Sequence, residues 1–85
     1  MNLEKLSIGQ MARLNGISEQ TLRLYDKLNL LSPSGVNPEN GYRYYSIAQS
    51  PRLDLIKYYQ SLGFSLKDIH DRILGADAAC LNRIL

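Results

Sequence analysis

The side chains near the N-terminus follow the spacing of a helix. After Ser7, the positions three to four residues apart share one face and hold Ile8, Met11, Ala12 and Asn15. Ser7 is a residue type that caps a helix N-terminus, and Gly16 is the type that adopts the left-handed conformation beyond a C-terminus. The pattern therefore predicts a helix of about two turns between Ser7 and Gly16.

A second helix is predicted to start at once. Ser18 is a suitable N-cap, and the inward face is predicted to hold Leu22, Tyr25 and Leu28. The tight turn at Gly16-Ile17 makes the pair a candidate helix-turn-helix, with a shared core of Ile8, Met11, Ile17 and Leu22. The exposed face of the second helix carries side chains that can form hydrogen bonds with base edges or phosphates, namely Glu19, Gln20, Thr21 and Arg23. The alternative is that any amphipathic helix pair places polar residues outside.

The helical period disappears between residues 29 and 46. Asn40-Gly41 is a strong turn signal, with Leu30-Leu31 before it and the strand-forming run Tyr42–Tyr45 after it. We predict a two-stranded ribbon with a loop of about ten residues. Alternation places Tyr42 and Tyr44 on one face, and Arg43 and Tyr45 on the other. Arg43 beside tyrosine hydroxyls suits phosphate oxygens, although the tyrosines could also pack on the helices, and both can hold.

Two further helices are predicted in the second half. Ser46–Gln49 has capping-box form. A helix is predicted after it, with its inward face formed by Leu53, Ile56 and Leu62. Pro51 leaves its start open, because the cap is either Ser46, with Pro51 inside the helix, or Ser50, with Pro51 at the first position. Gly63 is predicted to close this helix. Ser65 is predicted to cap a last one over 66–74, with Ile69 and Ile73 inward.

The last residues have a different pattern. Heptad-like spacing connects Leu74, Ala78, Leu81 and Leu85. This segment is either an amphipathic turn packed on the domain or the start of a dimerising coiled coil.

Composition limits the function classes. The chain has 85 residues, 45% of them hydrophobic, and a net charge of +2, which fits one small thin-cored domain and permits nucleic-acid binding without demanding it. A single cysteine, Cys80, and a single histidine, His70, are too few for a disulfide or a structural zinc site. Without a nucleophile, phosphate-loop or metal motif, we expect no catalysis, no cofactor and no metal. Without a long apolar stretch, we expect no membrane segment and a reducing cytoplasm.

Taken together, several motifs resemble a known family. They are Ser7-Ile8-Gly9-Gln10, Ile17-Ser18, Thr21–Asp26, Gly41–Tyr45, Leu53–Lys57 and Leu62–Ile69. In this order and spacing the chain resembles the N-terminal DNA-binding domain of the MerR family of bacterial transcription regulators, over residues 7 to 74. Its segments are most similar to the multidrug-responsive branch.

The resemblance implies a mainly α, winged helix-turn-helix fold with four short helices and a small two-stranded β wing. Residues 1–74 would be the DNA-binding domain, with 18–28 as recognition helix, 30–45 as first wing and 63–67 as second wing. Residues implied to face DNA are Thr21, Arg23 and Tyr25 on the helix and Tyr42 and Arg43 on the wing, with Ser18, Glu19 and Gln20 as candidates by position.

The implied mechanism is that of a homodimer on double-stranded promoter DNA, which it distorts for RNA polymerase. Residues 75–85 would start the dimerisation helix, and a small-molecule effector would act only on a longer form, so we expect this chain to be a fragment of a larger regulator. Leu24, where the family has an aromatic residue, and Ser50-Pro51 depart from the pattern. The alternatives are a short excisionase-like DNA-bending factor and a protein-interaction module without DNA contact.

Overall fold

The first helix is bounded at both ends by the predicted residues. In the computed structural model, which describes residues 2–73, α1 covers Ile8–Asn15. The Ser7 hydroxyl accepts a hydrogen bond from the Gln10 backbone N–H, and the Gln10 side chain accepts one from the Ser7 N–H, so the two residues form a capping box. At the other end Gly16 has φ 64°, which allows the chain to leave the helix without strain.

Helix α2 covers Glu19–Lys27 and packs against α1. The Ser18 hydroxyl caps it by accepting from the Thr21 N–H at 3.1 Å. Of the predicted shared core, Met11 and Leu22 are fully buried, whereas Ile8 and Ile17 are half-buried. Leu28 was expected inward and is exposed, because it is the C-cap residue, where the backbone leaves the helical conformation.

The segment after α2 is buried without being a strand. Leu30 and Leu31 both donate their backbone N–H to the Tyr25 carbonyl, at 2.8 and 3.2 Å, and both side chains enter the core. The predicted first strand at Leu30-Leu31 is therefore wrong. Both backbone N–H groups are already bonded to the Tyr25 carbonyl near the end of α2, so these residues do not pair with a second strand.

The ribbon forms further along the chain. Strand β1 covers Gly35–Val36 and β2 covers Arg43–Tyr44, and they pair antiparallel with Gly35 opposite Tyr44. The loop is consequently 37–42, shorter than expected. A Cβ atom at residue 35 would collide with the ring of Tyr44, so the close approach requires glycine. The predicted turn at Asn40-Gly41 does lie in this loop, with Gly41 at φ 73°.

The start of the third helix combines both of the predicted possibilities. Ser46 and Gln49 form a capping box, but it caps the start of a 3-10 turn, Ile47–Gln49. Helix α3 then covers Ser50–Ser61. Pro51 is thus the second residue of α3, where a missing N–H costs no helical hydrogen bond. Leu53 is fully buried, as predicted.

The chain divides into two compact units, Met1–Asp54 and Leu55–Leu85. In the second unit Ile56 is buried, whereas Leu62 is 57% exposed because α3 ends at Ser61. Gly63, at φ 94°, follows, and the Ser65 hydroxyl accepts from the Asp68 N–H to cap α4, helical over 66–73 with Ile69 and Ile73 buried. Residues 2–73 therefore hold four helices and one two-stranded sheet, as predicted.

Two predictions lie outside the described residues. They are the end of the last helix at Leu74 and the dimerisation helix at 75–85. Within residues 2–73, no helix has the length and apolar character needed to cross a bilayer.

Candidate nucleic-acid interface

The exposed face of α2 carries most of the side chains predicted from its sequence. Ser18, Glu19, Gln20 and Arg23 are exposed and Thr21 is half-buried. The Ser18 and Thr21 hydroxyls lie 2.8 Å apart, so they hydrogen-bond each other at the helix start. Arg23 Nη2 lies 3.6 Å from Glu19 Oε1 one turn earlier. Such an exposed pair contributes about 0.3–0.5 kcal/mol, so Arg23 can exchange its partner for a phosphate at low cost.

The wing presents its polar residues beside this helix. Tyr42 is 75% exposed, and the Arg43 side chain is 66% exposed. Arg43 Nη1 donates a hydrogen bond of 2.8 Å to Asp26 Oδ2 in the last turn of α2. This charge-assisted bond fastens the wing to the helix, across 17 residues of sequence.

Helix and wing together enclose a groove of about 560 Å³. It brings Arg23 of the helix together with Tyr42 and Arg43 of the wing. The remaining lining residues are Ser7, Ile8, Asp26, Pro33, Gly41 and Tyr45. Guanidinium groups and a tyrosine hydroxyl along one open groove are the donors that a phosphate backbone requires.

Two tyrosines lie beneath this surface. Tyr25 is 3% exposed and Tyr45 is 2% exposed, and burial raises the pKa of both hydroxyls. For Tyr45 the nearby carboxylate of Asp26 raises the pKa further, while Arg43 and Arg23 lower it. Tyr25 therefore belongs to the core, as the helical period predicted, while the resemblance implied that it faces DNA.

Asp26 is the residue of the groove that sequence reasoning left without a role. It stands within the Thr21–Asp26 motif, but its partner lies on the wing, and no local spacing connects the two. Only the fold reveals the pair.

Residues 2–73 contain no cluster of three or more histidine, cysteine or acidic side chains that could hold a metal ion.

A helix-turn-helix followed by a two-stranded β wing is the architecture of the winged helix-turn-helix class. Comparison with known proteins makes the assignment narrower. The family described as MerR HTH family regulatory protein matches residues 6–75. The chain belongs to the MerR family.

Relatives of known role agree with this assignment. The chain is 41% identical to the multidrug-efflux transporter 1 regulator of Bacillus subtilis over 63 residues, which are 74% of this chain and 23% of that protein. It is 42% identical to the mercuric resistance operon regulatory protein of Bacillus cereus over 71 residues, 84% of this chain and 52% of the relative. The chain thus spans at most about half the length of these two relatives.

The fold is also shared with solved structures. One is the cryo-EM structure of the EcmrR–DNA complex in EcmrR-RPo, which superposes with a TM-score of 0.69 at 34% identity and covers 75% of this chain and 24% of that one. That structure shows EcmrR in complex with DNA.

Proposed function

We propose that this chain is the DNA-reading part of a bacterial transcription regulator that binds double-stranded promoter DNA in a sequence-specific manner. The observation that carries the proposal is the groove in which Arg23 of α2 and Arg43 of the wing meet. A ligand with negative charge along an extended path, such as a DNA backbone, can use both arginines and the exposed Tyr42 at once. The DNA complex of the similar EcmrR supports the same reading.

In this proposal α2 enters the major groove. Gln20, Thr21 and Arg23 read base edges or phosphates, since amide, hydroxyl and guanidinium groups match their donor and acceptor pattern. Ser18 and Glu19 lie at the helix N-terminus, next to the duplex. Tyr42 and Arg43 hold the flanking backbone, a contact that fixes register and carries no sequence information.

The protein acts as a homodimer, in keeping with the family, and the dimer contact uses residues 75–85. Two α2 helices then lie in successive major grooves of a palindromic site, about 34–36 Å apart. The dimer distorts the promoter for RNA polymerase, and a small-molecule effector acts on the longer form. The activity is regulatory, not enzymatic, and takes place in the cytoplasm, where the chromosome lies.

Selection of duplexes from a randomised pool tests sequence-specific binding. The unsubstituted chain is mixed with the pool, bound duplexes are recovered and sequenced, and their affinities are measured by fluorescence anisotropy at about 50 and about 200 mM salt. We expect enrichment of one palindromic sequence and a fall in affinity with salt. Equal recovery of all sequences, or binding that ignores salt, would contradict the proposal, and the absence of binding to any duplex would favour the protein-interaction alternative.

A further inference from the structure

Arg43 has a long side chain at an exposed position, but its guanidinium group is bonded to a partner. Its Nη1 donates to Asp26 Oδ2 at 2.8 Å, and the aspartate side chain is only 26% exposed, against 66% for the arginine. Asp26 lies on a helix, so the backbone holds this acceptor more firmly than a loop would. The better-buried carboxylate is therefore the anchor, and the arginine is the group that it orients.

We propose that Asp26 is a positioning residue that holds the Arg43 guanidinium in place before DNA arrives. A guanidinium has five N–H donors in a planar fork, and the bond to Asp26 uses one of them at Nη1. The others remain available for a phosphate. Since the side chain is already ordered, binding loses less rotamer entropy than it would with an unrestrained arginine. This inference deepens the proposed function and depends on it.

A carboxylate beside a phosphate also repels it, so Asp26 has two opposite effects on DNA affinity. Orientation acts only through Arg43 and disappears when the guanidinium is removed. Repulsion acts directly on the phosphates, and it grows when no guanidinium neutralises the carboxylate. The two effects are therefore separable, because the sign of an Asp26 substitution must depend on the residue at position 43.

A double-mutant cycle on the full chain tests this dependence. Affinity is measured for a labelled mixed-sequence duplex of about 30 base pairs at about 50 mM salt, where phosphate contacts dominate. In the presence of Arg43, we expect Asp26→Asn to weaken binding about threefold, the range of one exposed ion pair. In the Arg43→Ala background, the same substitution is expected to tighten binding about twofold by removing an unpaired negative charge.

Two further variants serve as controls. Asp26→Glu keeps the carboxylate and should recover most of the affinity that Asp26→Asn loses. Glu19→Gln removes a carboxylate from the same helix, but one that pairs with Arg23, so its effect should be the same with and without Arg43. Circular dichroism melting of each variant confirms that the fold is retained.

A readout without DNA separates this inference from the proposed function. The Nη–H NMR signals of Arg43, one of which belongs to the bond with Asp26, should be distinct and slowly exchanging in the unsubstituted chain and should broaden in Asp26→Asn. An unchanged signal overturns the inference. So does tighter binding of Asp26→Asn in both backgrounds, which shows competition with phosphate, or an equal loss in both, which shows a structural role. If the unsubstituted chain binds no duplex, the proposed function fails and this inference fails with it.

Discussion

Leu6 and Tyr45 exchange two backbone hydrogen bonds, each 2.7 Å long, although they lie 39 positions apart in the sequence. Leu6 immediately precedes the cap of α1, and Tyr45 immediately follows β2. Both side chains are buried, at 0% and 2% exposure. The antiparallel bridge thus joins the wing to the entrance of the helix-turn-helix, so that the position of the wing is set by the core.

Replacing Arg43 should weaken binding to every duplex alike. Arg43→Ala removes one phosphate contact, so we expect an affinity loss of about 1.5–3 kcal/mol and a salt slope smaller by about one. Anisotropy titrations with the selected operator and with a mixed-sequence duplex measure both quantities. Arg13→Ala, an exposed arginine on α1 outside the groove, provides the matched control. A change in base preference with Arg43→Ala would show that the wing reads sequence.

Replacing Gln20 should instead change sequence preference. Its exposed amide on the first turn of α2 can make a bidentate contact with adenine, so Gln20→Ala should reduce discrimination at one base pair by about 1–3 kcal/mol. Repeating the duplex selection with the variant locates the relaxed position. An unaltered selected sequence would place Gln20 outside the base-reading set.

Leu24 offers a gain-of-affinity test. It is exposed in the middle of α2, and as an apolar residue it cannot donate to a phosphate. Leu24→Tyr adds a hydroxyl donor on that face, and we expect tighter DNA binding by about 1 kcal/mol. Leu28→Tyr is the matched control, because Leu28 is similarly exposed but lies at the C-cap. Equal effects of both substitutions would indicate a general contribution of aromatic surface.

The buried tyrosines predict a loss of stability in alkali. Because the pKa values of Tyr25 and Tyr45 are raised in the folded chain, their hydroxyls ionise first in the unfolded chain. Their contribution is complete below the unfolded pKa and decreases as the pH rises above about 10. Urea denaturation at neutral and alkaline pH should show the free energy of unfolding falling across this range.

Phenylalanine variants identify the source of that loss. Tyr25→Phe and Tyr45→Phe should each make the alkaline decrease smaller, whatever their effect at neutral pH. Tyr42→Phe, at an exposed position, leaves both buried hydroxyls in place and should retain the decrease. If the two buried variants kept the full decrease, another group would be responsible.

Local chemistry was enough to predict the ends of α1 and the starts of α2 and α4. Ser7, Gly16, Ser18 and Ser65 act at helix ends through bonds within three or four residues, so their roles are written in the neighbouring sequence. The same holds for the inward positions of Ile69 and Ile73. The exposed face of α2 was predictable for the same reason.

Errors occurred at helix ends and where contacts outside the helices decide the structure. Leu30-Leu31 has the composition of a strand, but the Tyr25 carbonyl and the core take up its donors and side chains. The true strand at Gly35–Val36 begins with a glycine, a residue type that is depleted in strands, and this glycine lies opposite Tyr44. The Asp26–Arg43 pair has the same origin, since only the completed fold brings wing and helix together.

The base and the tip of the wing are held differently. The bond of Tyr45 to Leu6 and the pair of Arg43 with Asp26 fix the base of the wing, whereas the tip, residues 37–42, is an exposed loop beyond the paired strands. Loop closure costs only about 0.6 kcal/mol more for each doubling of length. In the proposed complex with DNA, insertions at the tip would extend contact along the duplex without moving the Arg43 guanidinium. The length of DNA that the proposed contact covers can therefore change in evolution while the Arg43–Asp26 pair stays the same.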